Sequence, residues 1–188
     1  MKIVATEMPG LFDLNAESRT DARGSLVKTF EAGTFAHSGL PTRFEEQLHT
    51  SSRGGVLRGM HFQAPPAGQA KVIYCQHGSV FDVVVDLRTG SPTFGRALSR
   101  ELAAETGNGL FVPVGFAHGF VVTSSEAIVS YLLTSGYAPA TEGGILWSSV
   151  GVAWPIAQPD VSDRDRSFPA LTDFETPFLY ESTTRGET

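Results

Sequence analysis

The chain has 188 residues, 41% hydrophobic and 18% charged, which is enough for one substantial core and ordinary for a soluble globular protein. A net charge of −6 and a pI of 5.3 argue against nucleic-acid binding, and no Lys/Arg cluster contradicts this. Met1-Lys-Ile-Val-Ala-Thr-Glu has no long apolar run, so neither a signal peptide nor a membrane span is expected. The single cysteine, Cys75, has no internal disulfide partner and reads as a small strand residue; a cytoplasmic protein is the simplest reading.

In chain order, a short helix is expected over Glu31 to Ser38, followed by strands over Lys71 to Cys75 and Val80 to Leu87. In the second of these, Phe81, Val83, Val85 and Leu87 share one face, with Asp82 and Asp86 on the other. Further strands follow over Leu110 to Val112, Gly119 to Thr123 and Ala127 to Leu133, and one short helical turn is expected near the C-terminus. Turn signals separate them at Gln76-His-Gly78, Thr89-Gly-Ser-Pro92 and Ser124-Ser125. Many short strands closely spaced by turns predict an all-β sandwich or jelly roll with short peripheral helices. No repeat of fixed period appears. One domain over residues 1–181 is expected, with the polar stretch Ser182 to Thr188 as a disordered tail.

Two stretches carry the chemistry: Gly55-Val-Leu-Arg58-Gly-Met-His61-Phe-Gln63, and Gly107 through Pro113 and Gly115 to His118. Their spacing resembles the two motifs of the cupin β-barrel, with most metal ligands missing. His61 and His118 stand at two ligand positions, Gln63 replaces a third, and Lys71 falls where a glutamate belongs. A divalent cation favours neutral imidazoles and carboxylates, and an ammonium beside it is repelled, so no metal is expected. Several polar groups buried together without a function would be costly. Arg58, His61, Gln63, Lys71 and His118 therefore read as the lining of a pocket. An inward-facing Lys71 would have its pKa depressed by burial and would suit a developing enolate oxygen. Tyr131, in phase with Val129 and Leu133, reads either as a core tyrosine or as a proton donor. Asp165, in Val161-Ser-Asp-Arg-Asp165, reads in isolation as part of a solvated charged loop.

A more specific resemblance runs along residues 10–170. Thr20-Asp-Ala-Arg23-Gly24, the segment Gly55 to Gln63, Lys71, Val83 to Gly95, Val112-Pro-Val-Gly-Phe-Ala-His118-Gly-Phe120, Tyr131, Tyr137-Ala-Pro and Trp154-Pro155 occur in one order. This order is similar to that of the dTDP-4-dehydrorhamnose 3,5-epimerase family, the sugar-nucleotide epimerases of deoxysugar biosynthesis. The resemblance implies a cupin-type double-sheet jelly roll without metal or cofactor, acting as a homodimer on a nucleotide-diphosphate sugar. It implies that His61 is the general base, Asp165 the aspartate that orients it, Lys71 the cation beside the keto oxygen and Tyr131 the acid. It further assigns Arg58, Gln63 and His118 to the substrate pocket, Arg23 to the diphosphate in the partner's site, and Tyr137 and Glu142 to positions nearer the nucleotide.

The chain departs from the family pattern at Gln47-Leu48-His49-Thr50, where Asp-Asn-His-Ser is usual, and at Ser148-Ser149-Val150. Leu48 cannot make the hydrogen bonds of an asparagine. The reaction expected is inversion at C3, C5 or both of a 4-keto-6-deoxy sugar, through an enolate. The alternatives are a single-site epimerase on a GDP-, CDP- or UDP-linked sugar, a metal-dependent cupin, and a non-enzymatic sugar-binding cupin.

Overall fold

The computed structural model describes residues 1–181; the tail expected over Ser182 to Thr188 lies outside the described residues. Two antiparallel sheets face each other. The first contains β1 (Lys2–Ala5), β2 (Phe12–Asn15), β5 (Glu46–Arg53), β7 (Lys71–His77), β10 (Asn108–Val112) and β12 (Glu126–Leu133), in the order β1-β2-β10-β7-β12-β5. The second runs β13-β6-β11-β8-β9, from β6 (Val56–Gln63), β8 (Ser79–Asp86), β9 (Ala97–Ala103), β11 (Phe116–Val122) and β13 (Glu142–Gly144). β14 (Asp160–Val161) pairs in parallel with β6, and β3 (Ser18–Asp21) with β4 (Gly24–Val27) forms a separate hairpin. Helix is confined to α1 (Ala32–His37), α2 (Asp163–Arg166) and two short 3₁₀ turns. The expected double-sheet jelly roll is what the chain forms. Among the described residues no helix is long and apolar enough to cross a membrane.

Three apolar layers hold the sheets. Between them lie Leu11, Ile73, Val80, Val84, Leu110, Phe120 and Val129, all nearly solvent-free. Outside the second sheet, Met60, Val83, Val85, Leu87 and Ala117 are covered by Ile145, Val150 and Phe178 of the C-terminal segment. Outside the first, Leu14, Val72 and Phe111 are covered by Phe35 of α1. That helix starts where the Glu31 carboxylate accepts from the Thr34 amide, and Phe35 meets Phe30 edge-on at 4.9 Å between centroids.

This layering explains the one strand whose pattern is easily misread. The apolar row Val83, Val85 and Leu87 of β8 faces outward, beneath the C-terminal segment, and the row carrying Asp82 faces the barrel interior. Both faces are buried, so the alternation does not mark a solvent side. Asp86, at the end of the same strand, accepts hydrogen bonds from Arg88, Ser91 and Thr93, and the Arg88 guanidinium lies over Phe116 and Tyr180. This buried charge is fully partnered.

The second sheet carries one irregularity that matters for function. On β11, His118 pairs with His61 and Phe120 with Arg58, so three residue steps on β6 oppose two on β11. The extra residue is a β-bulge around Gly59 and Met60. Gly59 has φ +131°, and a Cβ there would meet the Gly119 Cα at 2.4 Å. At Gly119 an added Cβ would lie 2.7 Å from the Met60 sulfur and 2.8 Å from the Arg58 carbonyl oxygen. Gly119→Ala is therefore expected to lower stability by about 1–3 kcal/mol, as overpacking does. Thermal unfolding measures it; an unchanged Tm would mean the two strands can separate freely.

Candidate active site

In a regular strand, residues three apart point to opposite faces. The bulge removes that constraint, and Arg58 and His61 both line a cavity of about 290 Å³ between the sheets. Lys71, at the start of β7, and Tyr131, on β12, enter the same cavity from the first sheet; His118, on β11, enters from the second. Glu46, Leu48 and Thr50, alternate residues of β5, complete one side, and Tyr137 and Glu142 stand at the rim.

His61 is held from behind. Its Nε2 lies 2.8 Å from Asp165 Oδ1, while Asp165 Oδ2 accepts from the Gly59 amide at 3.1 Å. Asp165 lies on α2, whose first turn is capped by the Ser162 hydroxyl accepting from the Asp165 amide. It is buried, not part of a solvated loop as its charged neighbours suggest. Burial alone would push its carboxyl up, but the bonds from His61, Gly59 and Ser162 hold it below the usual carboxylate range. An ionised carboxylate only accepts, so Nε2 carries a proton, and in the neutral ring the free lone pair is on Nδ1.

Lys71 belongs to an interior strand, and its amine sits 3.4 Å from the His61 carbonyl oxygen. Burial pushes its pKa down to about 8, against the pull of Glu142 and Asp82. The buried Tyr131 phenol moves the other way: desolvation, with Asp82 adding to it, raises its pKa and keeps it protonated. Its ring meets His118 edge-on at 6.0 Å.

His118 is itself paired, Nε2 to Asp82 Oδ2 at 2.7 Å, both fully enclosed. Burial raises the Asp82 pKa, opposed by His118 and Lys71, and the second oxygen, Oδ1, has no hydrogen-bond partner. Sequence reasoning missed Asp82, because only the covered outer face of β8 reveals that its row points inward. Arg164 was missed as well. It pairs with Glu142 Oε2 at 2.9 Å, the oxygen to which Tyr137 also donates at 2.7 Å, and its guanidinium lies 5.6 Å from the Phe168 ring centre.

One anticipated pocket residue stands elsewhere. The Gln63 side chain is buried away from the cavity: Nε2 donates to the carbonyls of Ala67 at 2.6 Å and Gly136 at 3.1 Å, and Oε1 accepts from the Ala138 amide at 2.9 Å. With a Gly-x-His-x-Gln strand its side chain follows His61 in phase, but the turn of the following loop captures it. Arg23, which the family resemblance directs to a partner's site, is exposed at the β3–β4 turn and bound to Asp21 at 2.6 Å, outside this chain's own cavity. Among the described residues no group of three or more His, Cys, Asp or Glu side chains is placed to hold a metal ion.

An imidazole oriented by a carboxylate, a buried ammonium and a protonated phenol around one cavity form an acid–base site suited to moving a proton beside a carbonyl. Fold and site together define a cupin-type isomerase. The chain belongs to the dTDP-4-dehydrorhamnose 3,5-epimerase family, whose sequence model matches residues 5–173. It is 40% identical over 168 residues to the dTDP-4-dehydrorhamnose 3,5-epimerase of Shigella flexneri, covering 88% of this chain and 93% of the relative. It is 37% identical over 169 residues to a dTDP-4-dehydrorhamnose 3-epimerase of Streptomyces niveus, covering 88% and 82%. The 3,5-epimerase of Legionella pneumophila, solved in complex with dTDP-4-keto-L-rhamnose, superposes with a TM-score of 0.91 at 32% identity, covering 96% of this chain and 99% of that one. Membership of an enzyme family sets aside the non-enzymatic sugar-binding reading.

Replacing Asp165 by Asn tests the dyad. An amide NH₂ would donate to Nε2, shift the ring proton to Nδ1 and remove the base. Turnover is expected to fall about 10²–10⁴-fold, with the folded state retained by circular dichroism. Near-normal turnover would show that His61 needs no orienting carboxylate.

Proposed function

We propose that the chain inverts both C3 and C5 of dTDP-4-keto-6-deoxyglucose, giving dTDP-4-keto-L-rhamnose, with His61 as base, Lys71 at the keto oxygen and Tyr131 as acid. The observation that carries this reading is that base and acid come from opposite sheets. Inversion requires that a proton leave one face of the sugar ring and return to the other. His61 on β6 and Tyr131 on β12 flank one cavity from its two walls.

The steps follow from the side chains. Nδ1 of His61 takes the proton from the carbon beside the ketone, forming an imidazolium that Asp165 stabilises. The electron pair left on carbon moves into the carbonyl, and the enolate oxygen gains its charge next to the Lys71 ammonium. The Tyr131 phenol then delivers a proton to the far face. Its raised pKa keeps the phenol protonated at neutral pH, and after transfer the phenolate regains a proton from solvent while the His61 imidazolium gives one up, which restores the site for the next cycle. Arg58 and His118 bind the sugar, with Tyr137 and Glu142 nearer the nucleotide.

We read the active unit as a homodimer. The outermost strand β5 leaves Gln47, Leu48 and His49 exposed, and the β3–β4 hairpin carries Arg23 on an exposed turn. Family resemblance gives that arginine the diphosphate bound by a second copy. A second reading is inversion at C3 alone, favoured by the Streptomyces niveus relative's name.

Incubation with dTDP-4-keto-6-deoxyglucose in heavy water, followed by proton NMR, decides between them. Loss of both the C3 and C5 signals is expected, with conversion to the inverted sugar. Loss at C3 alone would establish the single-site reading, and loss at neither would reject this substrate. Under the same conditions Tyr131→Phe is expected to keep solvent exchange, because His61 still removes the proton, while inverted product disappears. The pH profile tests Lys71: kcat/KM is expected to fall as pH rises through about 8, where the amine loses its proton. A profile flat well above that value would mean no ammonium is needed at the enolate.

A further inference from the structure

The segment 134–141 joins β12 to β13 and carries Tyr137 at the cavity rim. It belongs to neither strand, yet three consecutive backbone amides in it are each captured by a side chain from outside. Gly136 N–H donates to Glu45 Oε2 at 2.9 Å, Tyr137 N–H to Glu46 Oε1 at 2.8 Å, and Ala138 N–H to Gln63 Oε1 at 2.9 Å. Gln63 binds the segment a second time, through Nε2 to the Gly136 carbonyl. At its far end Thr141 N–H returns to the Ala138 carbonyl at 3.0 Å.

The acceptors come from different walls of the site. Glu45 and Glu46 enter and open β5, on the first sheet; Gln63 ends β6, on the second. The segment thus bridges the edge strand of the first sheet and the end of β6 in the second at the cavity mouth. A loop free of this clamp would need only water to satisfy its amides. Two carboxylates aimed at successive N–H groups make charge-assisted bonds, stronger than neutral ones, at a place where no sheet ladder exists. The anchored residue is Tyr137, more than half exposed, whose ring flanks the cavity and whose hydroxyl is fixed to Glu142.

We infer that Glu45, Glu46 and Gln63 are positioning residues that latch the 136–138 backbone and so fix Tyr137 as a preformed rim for the nucleotide end of the substrate. The consequence rests on the reading of the site as a nucleotide-sugar epimerase; the latch itself does not. Substrate binding then finds Tyr137 already placed, and the cost of ordering it is met in the free protein. The reacting groups His61, Lys71 and Tyr131 stand on strands and are independent of the loop. Loss of the latch therefore weakens binding and leaves the proton transfers intact.

The experiment compares Glu46→Ala, Glu45→Ala, Glu46→Gln, Tyr137→Ala and the double variant Glu46→Ala/Tyr137→Ala in the full chain, with dTDP-4-keto-6-deoxyglucose as substrate. Each single Ala variant is expected to raise KM about 10- to 100-fold, the loss of one charge-assisted hydrogen bond, with kcat changed less than about twofold. Glu46→Gln keeps an acceptor oxygen and restores most of the loss. In the Tyr137→Ala background, Glu46→Ala adds little further, because it acts through the residue already removed. KM increases that multiply in the double variant would overturn the inference and make Glu46 a direct substrate contact.

A second readout needs no substrate. Amide hydrogen exchange at Tyr137, followed by NMR in the free protein, is expected to speed up at least tenfold in Glu46→Ala and recover in Glu46→Gln. Unchanged exchange would overturn the latch. If the unmodified enzyme does not turn over this sugar, it is the proposed function that fails, and the exchange rates still decide the latch.

Discussion

Everything chemical in this protein hangs on one carboxylate with two tasks. Asp165 Oδ1 holds the His61 ring and Oδ2 holds the Gly59 amide of the bulge beside it. The bulge is what allows Arg58 and His61, three residues apart, to share the cavity, and the same carboxylate that fixes the bulge fixes the tautomer of the base. The site's geometry and its protonation state therefore have a common origin. The location of Asp165 depends in turn on the C-terminal segment, which must wrap the second sheet before β14 and α2 can deliver the residue to β6. A residue remote in sequence thus makes the first motif functional.

The two-sheet architecture supplies the second requirement, that the reactive groups approach from opposing sides. A jelly roll presents two walls whose inward rows are set by strand period and register. Tyr131 pairs with Leu48 and Ile73 on its neighbours, so its row is fixed by ladders on both sides. His61 is fixed by β11 and β13. The loops need not position either group. What they add is the rim, where Tyr137 and Glu142 stand. The replacement of a polar residue by Leu48 falls on an inward row of β5, the outermost strand, and so changes the pocket's edge more than its centre.

Much of this was legible in the sequence. The motifs around His61 and His118, with Lys71 and Tyr131 between and beyond them, pointed to the barrel, and the strands of Lys71 and Tyr131 formed as expected, while the strand of His118 begins at Phe116, three residues before the expected Gly119. What could not be read is instructive. Asp82 alternates with valines as a solvent-facing aspartate would, and only the C-terminal cover over Val83, Val85 and Leu87 reverses the sense of the strand. Asp165 lies in a run of charges that by local pattern is solvated; only the family resemblance pointed it to His61, and only packing against β6 buries it. Gln63 is in phase with His61, yet a loop 73 residues farther along the chain captures its amide. In each case the missing information was long-range: which segment covers which face. Local pattern reports the period of a strand, not the identity of what packs on it.

The electrostatics set Lys71 and Asp165 apart. A lysine with a folded-state pKa near 8 and a usual value of 10.5 binds its proton less tightly in the folded chain. Below about 8 both states are protonated and the buried ammonium costs its full penalty, roughly 3 kcal/mol at 1.36 kcal/mol per unit. Between the two values the unfolded chain holds the extra proton, so stability rises with pH, and above the higher value the penalty is gone. Turnover through an enolate requires the opposite, a charged amine. Stability and activity thus slope in opposite directions above about pH 8 at this one residue. A core designed for stability alone would place an apolar side chain there. Asp165 behaves differently: its depressed pKa contributes stability that is present above its unfolded value and lost only as pH falls through the folded one. The fold therefore gains from the Asp165 carboxylate and loses from the Lys71 ammonium, a cost that the proposed reaction at an enolate would account for.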